Sequence, residues 1–62
     1  MNNYLAVWAW KLPDGRRQEI TMSFWTNTNL DAVHIADTWF DRACPDICYD
    51  SYTITNLSKE RS

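Results

Sequence analysis

Along residues 4–12, YLAVWAWKL, polar side chains almost vanish, whereas residues 18–24, QEITMSF, alternate polar and apolar with a period of two. Both runs are rich in β-branched and aromatic residues, so strands are predicted over 4–12 and 17–25. A strand apolar on both sides belongs in the middle of a sheet, and one that alternates belongs at an edge with one face wet. Between them, LPDGR carries turn chemistry: Pro13 presets φ for the second position of a type I turn, Asp14 suits the third, and Gly15 can take the left-handed conformation that follows. A three-residue Pro13-Asp14-Gly15 loop with a glycine bulge sets Leu12 opposite Arg16. Trp8 then opposes Ile20, Ala6 opposes Met22 and Tyr4 opposes Phe24. A tighter Asp14-Gly15 turn would need a donor N–H from Pro13, which has none. One face therefore collects Tyr4, Ala6, Trp8, Ile20, Met22 and Phe24, and the other collects Leu5, Val7 and Ala9 beside Thr21 and Ser23.

The period lengthens to that of a helix in TNTNLDAVHIADTWFDRACP, residues 26–45. Thr28 or Asn29 is the expected N-cap, Asp31 favours the positive end of the helix dipole, and Pro45 stops the helix at Cys44. At 100° per residue, Ala32, Val33, Ala36, Trp39, Phe40 and Ala43 fall on one side, flanked by Leu30, Ile35 and Cys44. Asp31, His34, Thr38, Asp41 and Arg42 fall opposite, with Asp37 at the margin. Residues 47–57, ICYDSYTITNL, read as a third strand, with Tyr52 and Ile54 toward the helix, Tyr49, Ser51 and Thr53 outward, and Asp50 turned inward. The tail SKERS, residues 58–62, is expected to fray.

The predicted fold class is α+β: a β-β-α-β chain over residues 1–57, forming one domain. A right-handed crossover through the helix returns the third strand parallel to the second, and the free side of the first strand receives it. The result is a three-stranded antiparallel sheet of order 2-1-3 with one helix on one face. That helix meets the Tyr4/Trp8 face. Nothing remains to cover Leu5, Val7, Trp25 and Tyr49, and an uncovered apolar patch of this kind marks association.

A chain of 62 residues can hide only about 60% of its extended surface, so its core must be small. Four tryptophans and an aromatic content of 15% compensate, because each large ring removes a large area from water. No run approaches the roughly 20 apolar residues of a membrane span, and no basic segment precedes the first apolar one, so the expected location is cytoplasmic with reduced thiols. The net charge of −2 is unevenly spread. Residues 26–57 hold five aspartates (31, 37, 41, 46, 50) against Arg42 alone, a local balance of −4. A partner docking there should be basic, and nucleic acid should be repelled.

Candidate chemistry is sparse, and no catalytic, cofactor-binding or metal-binding residues are assigned. His34 is the single histidine and sits on the wet side of the helix, with no serine or cysteine at helical spacing for it to activate. CPDIC separates Cys44 and Cys48 by three residues where a zinc knuckle or thioredoxin motif has two, and it stands alone. Exposed aromatics on a sheet are how several single-strand nucleic-acid binders work, but the positive groove they need is missing: Lys11, Arg16 and Arg17 cluster at the hairpin tip. Two binding features remain. One is the acidic strip Asp31, Asp37 and Asp41 with His34, and the other is the open-face group Leu5, Val7, Trp25 and Tyr49.

The segment QEITMSFWTNTNLDAVHIADTWF, an edge strand, a Thr/Asn-rich cap, LDAVHIA and aromatics one turn later, resembles the small phage-encoded inhibitors of host enzymes, in particular the podophage inhibitor of bacterial RNA polymerase. The resemblance covers residues 4–56 in layout and implies a β-β-α-β fold that sets a negative strip, here Asp31, Asp37 and Asp41, against a basic region of its target. The third strand departs from that family, with Tyr49, Asp50 and Tyr52 where arginines would stand. The implied class is thus a non-enzymatic, protein-binding inhibitor of a bacterial host complex, RNA polymerase or a defence system. Two alternatives are a homodimeric module pairing through the open sheet face and a single-stranded nucleic-acid binder. In the first reading the chain is a monomer or homodimer, without a membrane or cofactor.

Overall fold

The computed structural model describes residues 1–60, with the backbone alone for Glu60. Strand β1 (Asn2–Lys11) pairs antiparallel with β2 (Arg17–Thr26), helix α1 (Asn29–Ala43) follows, and β3 (Ser51–Asn56) pairs antiparallel with the other side of β1. The sheet order is β2-β1-β3, and the fold is a small α+β one as the hydrophobic pattern predicts. The hairpin closes as its turn chemistry dictates: Gly15 N donates to Leu12 O at 2.9 Å, Leu12 N donates to Arg16 O at 2.7 Å, and Gly15 has φ +92°. That loop fixes the register, and Trp8 opposes Ile20, Ala6 opposes Met22 and Tyr4 opposes Phe24. Across the other ladder, Tyr52 and Ile54 stand opposite Trp8 and Ala6, on the helix side.

The core lies between this face and α1. Trp8 is fully buried among three rings, with centroids 4.6 Å from Phe40, 5.3 Å from Tyr52 and 5.6 Å from Trp39. Tyr4 is buried with its polar end satisfied: its hydroxyl donates to Asn29 Oδ1 at 2.8 Å, tying β1 to the start of α1.

Four expectations are corrected. The fully buried stripe of α1 is Ala32, Ala36 and Phe40; Trp39 meets Trp8 from its border and stays 36% exposed, while Val33 and Ala43 are exposed. The third strand begins at Ser51 rather than at residue 47, because the turn after Pro45 bonds Ile47 N back to Cys44 O at 3.3 Å. Asp50 faces solvent and not the interior: Arg17 Nη2 donates to its Oδ1 at 3.2 Å, linking the start of β2 to the residue just before β3 across the end of β1. Residues 58–60 do not fray but belong to a helical turn, α2 (Leu57–Glu60), in which Asn56 Oδ1 accepts from Lys59 N and Ser58 Oγ accepts from Asn3 N. Residues 61 and 62 of the expected tail lie outside the described residues.

Candidate functional site

Helix α1 presents the most distinctive surface. Thr28 caps it, accepting from Asp31 N at 3.1 Å, and Asp31 and Arg42 sit at the ends that their charges favour. Cys44 closes it, donating its backbone N–H to Phe40 O at 2.8 Å. With Ala32 and Ala36 lying flat on the sheet, the bulky apolar residues to either side cannot all follow them down. Leu30 is 80% exposed, and Val33, Ile35 and Trp39 are each more than a third exposed. The carboxylates interleave with them. Asp37 and Asp41 are one turn apart, His34 is one turn before Asp37, and all three are exposed. Among the described residues no salt bridge joins Asp31, Asp37 or Asp41 to a cation.

Asp37 also reaches the edge of the core. The Tyr52 hydroxyl is sealed from solvent, with the Asp37 carboxylate as its polar neighbour. Burial first, and then that carboxylate, push the Tyr52 phenol well above its ordinary pKa. The indole Nε1 of Trp8, stacked on the same ring, is buried without a partner.

The opposite side of the sheet is of another kind. Leu5 and Val7 are half-buried on the central strand and flanked on both sides by hydroxyls: Leu5 by Ser23 and Thr55, Val7 by Thr21 and Thr53. Trp25 stands at the far end of β2, 59% exposed. The eight residues singled out from the sequence therefore do not form one patch. Asp31, His34, Asp37 and Asp41 share the helix, and Leu5, Val7 and Trp25 share the open face. Tyr49 belongs with neither group as expected: it packs edge-on against Phe40 at 5.3 Å and Tyr52 at 5.7 Å, on the helix side. It lies before the start of β3, so strand alternation does not govern where it points.

Sequence reasoning missed the exposure of Val33 and, in part, of Trp39, because it placed both within the buried stripe and left only Leu30, Ile35 and Cys44 at its flanks. The signal that separates them is residue size: alanines at 32 and 36 mark the line of closest approach, and larger neighbours are held off it. Among the described residues no group of three or more His, Cys, Asp or Glu side chains could hold a metal ion, both thiols are free, and no helix is long and apolar enough to cross a membrane. Comparison with protein-family models, curated proteins and solved structures finds no match to this chain.

Proposed function

We propose that the chain is a non-enzymatic protein-binding inhibitor, phage-encoded and acting in the cytoplasm of a bacterial host, which docks the exposed face of α1 on a basic surface of a host complex, RNA polymerase or a defence assembly. The observation that carries this reading is the make-up of that face. Carboxylates that, among the described residues, have no cationic partner stand beside the exposed Leu30, Val33 and Ile35 and the part-exposed Trp39, on an element whose fully buried residues are Ala32, Ala36 and Phe40. Carboxylates steer encounter with a positive surface and disfavour nucleic acid, while apolar side chains, Leu30 and Val33 above all, supply the contact that persists after encounter. Inhibition follows sterically, from occupying a surface that the host complex needs.

The test is capture from bacterial extract on the immobilised chain, comparing wild type with the Asp31→Lys/Asp41→Lys double variant. Among the described residues neither side chain makes a hydrogen bond or ion pair, so the variant should remain folded by circular dichroism. A host protein retained by wild type should fall by about tenfold or more with the variant, and its retention by wild type should weaken as salt rises. Equal retention by both chains would remove α1 as the docking surface.

A further inference from the structure

The free edge of β2 is built to pair. Antiparallel ladders alternate, and the bond from Leu12 N to Arg16 O sets the phase of this one. Gln18, Ile20, Met22 and Phe24 turn their N–H and C=O groups toward β1. Arg17, Glu19, Thr21, Ser23 and Trp25 turn theirs outward, away from the sheet. Edge strands are ordinarily guarded by proline, a bulge, shortness or a charge in mid-strand. β2 has ten residues in unbroken register, without proline, glycine or bulge, and its two charges, Arg17 and Glu19, are confined to one end. The other edge, β3, offers six residues.

What lies above the edge is apolar. Ile20, Met22 and Phe24 are only partly buried on the helix side of β2. Asp37 marks the flank of α1 that faces Tyr52 of β3, and Ile35 lies roughly 160° around the helix from it, with Trp39 next to Ile35 one turn on. Ile35 and Trp39, 38% and 36% exposed, therefore overhang the β2 side. The edge is also complementary to itself. When two copies run antiparallel about Thr21, Ile20 meets Met22, Glu19 meets Ser23 and Arg17 meets Trp25, so no charge faces its like. A shift to a centre at Glu19 would set that carboxylate against its own copy.

We propose that β2 pairs with β2 of a second copy of this chain about a two-fold axis at Thr21, joining two sheets into one of six strands with both helices on the same side. Each helix then shelters the seam with Ile35 and Trp39, and each exposed Trp25 gains the partner's Arg17. Sedimentation equilibrium of the full chain over a wide concentration series tests this. The expected result is a monomer–dimer equilibrium that Thr21→Lys weakens several-fold, since two ammonium groups then face each other across the axis. Ser23→Lys, which faces the partner's Glu19 twice, should tighten it several-fold. Both substitutions sit on exposed positions and should leave the circular dichroism spectrum unchanged. A monomer at every concentration would overturn the proposal, as would a dimer that neither substitution alters.

Discussion

Trp8 is the residue on which the interior turns, since it is fully buried and its indole meets Phe40, Tyr52 and Trp39 from the helix and the third strand together. Trp8→Ala removes the body of that cluster and should cost about 3–5 kcal/mol. A core of this size supplies only about that much in total. The variant should therefore be unfolded at room temperature by near-ultraviolet circular dichroism, whereas Trp8→Phe, which keeps the ring and deletes an indole N–H that has no partner, should fold. Tyr52 carries a second buried polar atom, its hydroxyl set beside the Asp37 carboxylate. Tyr52→Phe relieves its burial and also removes its interaction with Asp37, so the two effects offset and stability at neutral pH should change by less than about 1 kcal/mol in a denaturant titration. The same residue ties stability to alkaline pH. Burial and Asp37 raise the phenol's pKa in the folded chain, while the unfolded phenol ionises near pH 10 or so. The folded state thus holds a proton that the unfolded state gives up above about pH 10, and stability falls as pH rises through that range. Below it the contribution is fully present. Denaturant midpoints at neutral and strongly alkaline pH should diverge less in Tyr52→Phe than in wild type.

At the scale of elements, the hairpin is the part most fully determined by local sequence. Pro13, Asp14 and Gly15 each meet a separate demand of the turn, and Gly15 at φ +92° meets one that other residues meet only with strain. A Cβ there would touch nothing within 4 Å, so the cost of Gly15→Ala is conformational rather than steric. It should be about 1 kcal/mol, seen as a lowered Tm with the spectrum unchanged. Because the turn sets the register, both faces of β1 and β2 were legible in the sequence, and the limits of α1 were legible in Thr28 and Pro45. What was not legible depends on how elements lie on one another. A helical wheel orders side chains by angle but does not say how closely the axis approaches the sheet, so it could not distinguish Ala36, buried, from Val33, exposed. Alternation likewise places side chains only inside a strand. Tyr49 and Asp50 precede β3, and a turn and an ion pair position them instead. The bond from Asn3 N to Ser58 Oγ spans nearly the whole chain and has no local sequence signal.

At the scale of the molecule, the described residues form a slab with Cα extents of 40 × 24 × 13 Å, thin enough that both broad sides are surface. One side is a helix with carboxylates set among apolar side chains, and the other is a sheet face where Leu5 and Val7 are hemmed by hydroxyls. The two sides can serve different purposes, and the proposed inhibitor needs only the first. Carbodiimide labelling of carboxylates, read by mass spectrometry on the free chain and on the chain bound to its captured host protein, distinguishes them most directly. Asp31, Asp37 and Asp41 should lose label on binding while Asp14, at the hairpin tip, keeps it. Protection of Asp14 and Glu19 with the helix carboxylates labelled as in the free chain would contradict the account.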